Sequence, residues 1–156
     1  MLEMGARVLI TGAPKERHII DAVMAAAREP MVDLTKLGLD LTLLKSFIKR
    51  SNLVISNDTG PRHVAIAFGK PVVTIFGPTD PAWTEIGYAS EKYVRVPVEC
   101  GPCHKKKCPM RKTPDDHICM KRIEPAMVFE PVREMWPTIS ATQGAAIQSH
   151  TGTAHP

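Results

Sequence analysis

The sequence predicts an α/β fold, a parallel sheet with helices on both faces, from three observations. Short apolar runs recur at residues 7–11, 31–34, 53–56 and 71–76. Segments with apolar residues at helical spacing fall between them. Three of the runs end in turn formers: Gly12-Ala13-Pro14, Asn57-Asp58-Thr59-Gly60-Pro61 and Gly77-Pro78-Thr79-Asp80-Pro81. Strands that alternate with helices of this length argue parallel pairing.

Each element has its own signal. Residues 7–11 read as a short buried strand closed by Gly12-Ala13-Pro14. Residues 15–28 place Ile19, Ile20, Val23, Met24 and Ala27 on one helical face. Residues 31–34 suit a second short strand. Asp40 suits the N-cap of a helix through Arg50, with Leu41, Leu44 and Ile48 inward. Residues 53–56 are strand-like, Pro61 fits the first turn of the following helix, and Gly69 can end it. The β-branched run 71–76 is the next strand. Beyond Gly87 the pattern loosens into a Cys-rich and Lys-rich loop, followed by a last helix over residues 124–136. Residues 137–156 hold few large apolar side chains, so a disordered tail is expected there. No internal repeat is visible.

Composition bounds the function. At 156 residues the chain is long enough for one domain with a real core. Hydrophobic residues at 44% and charged residues at 23% are ordinary for a globular protein. The net charge of +4 favours an anionic ligand or surface but is too weak to argue nucleic acid. No apolar run approaches the roughly 20 residues of a membrane span. The N-terminal stretch lacks the charged start and long apolar run of a signal peptide, so a cytoplasmic chain is expected.

In a sheet of this kind, ligands sit outside the carboxyl ends of the strands. Asp58-Thr59-Gly60 follows one strand and opens a helix. Free backbone N–H groups and the helix dipole favour a phosphate there, and Gly60 would let it approach closely. The same residues could equally serve as an ordinary helix cap. Residues 77–81 follow the next strand and could form the other wall of a shared crevice, or simply a stiff turn. No G-x-G-x-x-G follows the first strand, which disfavours a nicotinamide dehydrogenase.

Three stretches together carry a resemblance: Ser56-Asn57-Asp58-Thr59-Gly60-Pro61 with His63, Gly69-Lys70-Pro71-Val72-Val73, and Phe76-Gly77-Pro78-Thr79-Asp80-Pro81. They resemble glycosyltransferase family 9, and within it the ADP-heptose:lipopolysaccharide heptosyltransferases, type II above all. The resemblance extends back to residues 8–14 and forward through Cys100-Gly101-Pro102-Cys103, Cys108-Pro109 and His117-Ile118-Cys119-Met120, covering roughly residues 5–136. It implies a Rossmann-like fold and the carboxy-terminal, donor-binding domain of a two-domain GT-B enzyme. Residues 1–136 are then a nucleotide-sugar-binding domain, incomplete at its N-terminus, and 137–156 a tail.

The resemblance further implies that Asp58 contacts sugar hydroxyls, a role that suits a carboxylate acceptor. Thr59 and Gly60 would give backbone N–H groups to the diphosphate, His63 would sit against the same pocket, and Thr79 and Asp80 would shape its floor. The implied reaction moves heptose from ADP-heptose, or a related nucleotide sugar, to the lipopolysaccharide inner core. The catalytic base is expected in the amino-terminal domain, so this chain alone is expected to be inactive. The implied location is the cytoplasm, at the cytoplasmic face of the inner membrane.

Cys100, Cys103, Cys108 and Cys119 form C-x₂-C-x₄-C-x₁₀-C, with His104 and His117 nearby. Four thiolates can hold a tetrahedral structural zinc, and the first pair has ligand spacing. A cytosolic disulfide is disfavoured. Lys105-Lys106-Lys107 and the prolines suit a basic loop near anionic lipid or phosphate equally well. Two further functions stay open: a non-catalytic nucleotide-sugar-binding fragment, and a small zinc-dependent nucleic-acid binder. Against the last, aromatics are only 5% and are not interleaved with the basic residues, as stacking requires.

Overall fold

A computed structural model describes residues 4–148. The chain forms two compact units that divide between Phe47 and Ile48. Among the described residues all strand pairing is parallel, in two sheets.

In the first unit, β1 (Leu9–Ile10) pairs with β2 (Val32–Asp33) across α1 (Arg17–Ala26). Gly12 closes β1, because a Cβ there would stand 3.1 Å from Ile20 Cδ1. Ile20 and Leu34 are the buried apolar residues of this unit. Asp33 accepts from the backbone N–H of Thr35 (3.0 Å), from Thr35 Oγ1 (2.6 Å) and from Arg17 Nη1 (2.6 Å), which fixes the turn after β2. Asp40 caps α2 (Leu41–Arg50) as the sequence predicts, its Oδ1 accepting from the N–H of Leu43 at 2.7 Å.

The second unit holds the three-stranded sheet β3 (Val54–Asn57), β4 (Val72–Ile75) and β5 (Glu91–Val94), in that order. Val54 stands opposite Val72, and Val72 opposite Glu91. α3 (Gly60–Ala67) packs on β3 and β4, and α5 (Pro125–Gln148) packs on β4 and β5. Consecutive strand residues face opposite ways, and Val72, Val73 and Thr74 are all fully buried. Both faces of β4 are therefore covered, the arrangement expected of a central parallel strand. Ile48, Ala65, Phe76, Val94, Val132 and Ile139 are the other buried apolar residues described in this unit.

Three expectations need correction. The segment after Gly87 is not all loop: it contains β5 and a short α4 (Ile118–Lys121). β5 escapes sequence reading because Glu91-Lys92-Tyr93-Val94 shows no apolar alternation; its Glu91 is buried as one half of an ion pair. The last helix does not stop at Trp136 but runs to Gln148, so 137–148 is not a disordered tail. Ile139 is buried and anchors that extension. The rest of the expected tail, 149–156, lies outside the described residues.

Candidate functional site at the ends of two strands

The loops after β3 and β4 come together. Thr79 Oγ1 donates to Asp58 Oδ2 at 3.2 Å, joining the Asn57–Gly60 turn to the 77–81 turn. The two loops that the sequence sets after neighbouring strands are thus in contact. Thr59 is the N-cap of α3, but no side chain caps the helix. The hydroxyl of Thr59 turns back toward the carbonyl of Asn57 and the hydroxyl of Ser56, 3.3 Å from each. Asp58 does not cap either. The open cap reading is thus excluded for both side chains, and the amino end of α3 keeps its partial positive charge. Gly60 borders open space, with no atom within 4 Å of where a Cβ would stand.

Asp58 is held from below by Arg62, one turn along α3, whose Nη1 donates to Asp58 Oδ1 at 2.9 Å. Arg62 is fully buried. Its Nε donates to Glu91 Oε1 at 2.6 Å, Nη2 to Glu91 Oε2 at 3.1 Å, and Nη1 also to Thr84 Oγ1 at 2.9 Å. Thr74 Oγ1 donates to Glu91 as well. The guanidinium lies 5.2 Å from the centre of the Phe76 ring and 5.9 Å from that of Tyr93. The hydrogen bonds to Glu91 hold Arg62 even more firmly protonated than usual, against the pull of burial. Burial, followed by the Glu91 charge, pushes the Tyr93 phenol upward.

The predicted residues divide accordingly. Asp58 and Thr79 touch. His63 is half exposed, with Nε2 4.0 Å from Asp58 Oδ1, beyond hydrogen-bond reach. Asp80 turns away, accepting from the N–H of Ala82 at 3.1 Å and lying 3.8 Å from Arg95 Nη1. Arg62, Glu91, Thr74 and Thr84 are absent from the sequence prediction. A charged side chain is by default read as solvated. The one available signal was the four-residue spacing of Asp58 and Arg62 on a helix start.

The cysteines gather elsewhere in the same unit. All four are free thiols and line one cavity of about 90 Å³, with Pro78 and Met120 in its wall. Burial pushes the Cys119 thiol up, reinforced by Cys100, Cys103 and Cys108. The N–H of His104 donates to the carbonyl of Pro78 at 2.9 Å, and the His104 ring stacks on Trp83, 3.8 Å between centroids. The cysteine loop is thus tied to the loop that carries Thr79.

The family model of glycosyltransferase family 9 (heptosyltransferase) matches residues 1–113. The chain belongs to glycosyltransferase family 9. Within that family it is 30% identical over 132 residues to lipooligosaccharide heptosyltransferase 2 of Campylobacter jejuni subsp. jejuni serotype O:6, covering 82% of this chain and 40% of that protein. It is 27% identical over 122 residues to lipopolysaccharide heptosyltransferase 1 of Pseudomonas aeruginosa, covering 72% and 34%. The solved structure of the E. coli ADP-heptose lps heptosyltransferase II superposes with a TM-score of 0.68 at 21% identity, over 86% of this chain and 37% of that one. The glycosyl transferase family 9 structure from Veillonella parvula matches with a TM-score of 0.53 at 27% identity, over 59% and 26%. The chain thus spans about two fifths or less of the family members it matches.

Proposed function

We propose that this chain forms the donor side of a glycosyl-transfer site, binding a nucleotide diphosphate sugar of the ADP-heptose type for transfer to the lipopolysaccharide inner core. The observation that carries the reading is the Asp58–Thr79 hydrogen bond beside an uncapped helix start. An anionic diphosphate is attracted to the amino end of α3, where the backbone at Gly60 borders open space. Asp58 has lone pairs left after serving Arg62 and Thr79, and a carboxylate with fixed orientation suits paired sugar hydroxyls. Thr79 fixes that orientation, and Asp80 stiffens the loop floor through its bond to Ala82. Half-exposed His63 borders the same mouth.

Transfer would invert the anomeric centre, with a base taking the proton of the acceptor hydroxyl. No residue of this chain is assigned that role, and positioning of both substrates would need the acceptor side as well. The reading places the chain in the cytoplasm, at the membrane face where a lipid-linked acceptor is presented. No helix among the described residues is long and apolar enough to cross a membrane.

Calorimetric titration of the 156-residue chain with ADP-heptose, ADP and an RNA oligomer tests the reading. Saturable binding of ADP-heptose, weaker binding of ADP and none of RNA are expected. RNA binding without nucleotide-sugar binding would overturn it.

A further inference from the structure

The donor site leaves one cluster of metal-ligating side chains unused. Cys108 Sγ, a carboxylate oxygen of Asp116 and a ring nitrogen of His117 lie within 4.8 Å of one another. Cys100, Cys103 and Cys119 line the adjoining cavity with Cys108, but among the described residues their sulfurs do not join this convergent set. The four thiols expected from the sequence to act together therefore do not converge on one point. The geometry points instead to a zinc site formed by Cys108, Asp116 and His117.

Three observations carry the assignment. First, Asp116 Oδ1 is buried and has no hydrogen-bond partner among the described residues. A buried carboxylate oxygen without a partner is costly, and a bound cation satisfies it. His117 Nδ1 stands 2.5 Å from this same oxygen, yet no hydrogen bond joins the two. With no hydrogen between them, a ring nitrogen and a carboxylate oxygen repel unless a positive charge lies against both. Second, the backbone holds the ligands in place. The N–H of His117 donates to Cys108 Sγ at 3.3 Å, so one residue supplies the ring and also fixes the sulfur nine positions away. Between them run successive tight turns, in which the carbonyls of Cys108, Met110 and Thr113 accept from the N–H groups of Arg111, Thr113 and Asp116 at 3.0–3.3 Å. Ligands ordered by the chain itself reduce the ordering cost of binding. Third, the donor set suits the ion. One thiolate, one carboxylate and one neutral imidazole balance a divalent charge, and sulfur with ring nitrogen selects zinc over magnesium or calcium.

An ordinary ion pair between Asp116 and His117 explains less. On an exposed ring such a pair is worth little, and it would leave Asp116 Oδ1 without the hydrogen bond that a pair should supply. Zinc bonds of about 2.3 Å to sulfur and 2.0–2.2 Å to nitrogen or oxygen set ligand atoms roughly 3–4 Å apart, so side-chain shifts of about an ångström complete the set. Three protein ligands leave the fourth tetrahedral position to water, on the side where the His117 ring is exposed. An ion so placed exchanges with solvent. It would cross-link residues 108–117 into one closed loop and have no part in bond making.

The test is zinc titration of the untagged 156-residue chain, stripped of metal and kept reduced, in competition with a chromophoric chelator. About one equivalent of zinc should bind, and excess magnesium should not displace it. Cobalt in place of zinc should give sulfur-to-metal absorption with the intensity of one thiolate rather than four. Cys108→Ser, Asp116→Ala and His117→Gln should each weaken zinc binding about tenfold or more, whereas Cys100→Ser and Cys103→Ser should leave it within about twofold. The cobalt spectrum uses the unaltered chain, so it decides the matter even if a ligand variant misfolds. The assignment would be overturned by any of three results: no stoichiometric zinc binding, a cobalt spectrum with no sulfur absorption or with that of several thiolates, or affinity lost in Cys100→Ser and Cys103→Ser but kept in Asp116→Ala and His117→Gln.

Discussion

Arg62 and Glu91 form an ion pair with no solvent exposure on either side chain, 2.6 Å from Nε to Oε1. It lies beneath the candidate site and connects it to the edge of the sheet, since Arg62 also supports Asp58 while Glu91 belongs to β5. Such a pair gains little over a well-packed apolar replacement, but removal of one partner strands a buried charge. Arg62→Ala should therefore cost about 3–5 kcal/mol in urea unfolding. Arg62→Met combined with Glu91→Gln should recover much of that loss, because neither residue is then charged. A double variant no more stable than Arg62→Ala would show that the pair's geometry, not its charge, is what the fold requires.

Asp58 separates binding from folding. If its carboxylate accepts sugar hydroxyls, Asp58→Ala should weaken nucleotide-sugar affinity by about 1.5–3 kcal/mol, as for hydrogen bonds to a charged group. ADP, which lacks the sugar, should bind nearly as before. Thr79→Val, which removes only the bond that orients Asp58, should produce a smaller loss in the same direction. Equal losses for ADP and ADP-heptose would assign Asp58 to support of the loops alone.

The extent to which the sequence foretold this molecule follows from the physics of each part. Strands β3 and β4 and the helix between them announce themselves through β-branched runs, Pro61 and Gly69, because each of those signals is local. The contact between their loops was legible for the same reason. The network below it was not: Arg62 meets Glu91 across 29 positions, and nothing local distinguishes a buried arginine from a solvated one. β5 was missed for the related reason that its buried glutamate breaks the apolar pattern. The cysteine spacing was visible, but only the fold shows that all four reach one cavity.

Gly77 tests the coupling between that cavity and the site. A Cβ at this position would run into Met120 Sδ and stand 3.1 Å from Met120 Cγ. Methionine is flexible and can give way, so Gly77→Ala should sit near the low end of the overpacking range of about 1–3 kcal/mol. The displaced side chain would then press toward Cys119, whose Sγ is 3.7 Å from the added carbon. Combining it with Met120→Ala should abolish the extra cost of Gly77→Ala, which a double-mutant cycle by thermal unfolding would measure.

Asp33 governs the acid response of the first unit. Hydrogen bonds from Thr35, joined by that from Arg17, hold its carboxyl below the usual carboxylate value. A depressed folded value means that the stabilisation is present above the unfolded value of about 4 and disappears as pH falls through the folded one. Hydrogen-exchange protection of residues 8–10 and 32–35 should therefore decline below about pH 4 in the parent chain. Asp33→Asn should start less protected and show a flatter pH dependence, since the titrating group is gone. Matching slopes in the two chains would assign the acid response to other carboxylates.

The last helix offers the sharpest contrast between sequence expectation and fold. Pro131 and Pro137 both lie inside α5, and an interior proline ordinarily costs about 3 kcal/mol by removing one backbone donor and crowding the preceding turn. The sequence reading stops at residue 136 because residues 137–156 hold few large apolar side chains. The helix continues because residues beyond it have somewhere to go: Val132 and Ile139 are seven positions apart, close to two turns, and both are buried. Burial of Ile139 thus offsets the proline, and removing it should release the segment. Ile139→Ala should destabilise the chain by about 2–5 kcal/mol, the range for a buried isoleucine truncated to alanine. Truncation after Trp136 should be at least as costly, whereas Met127→Ala, at a position exposed on the same helix, should stay within about 0.5 kcal/mol. A urea midpoint unchanged by both Ile139→Ala and the truncation would restore the reading of 137–156 as a tail that the fold does not use.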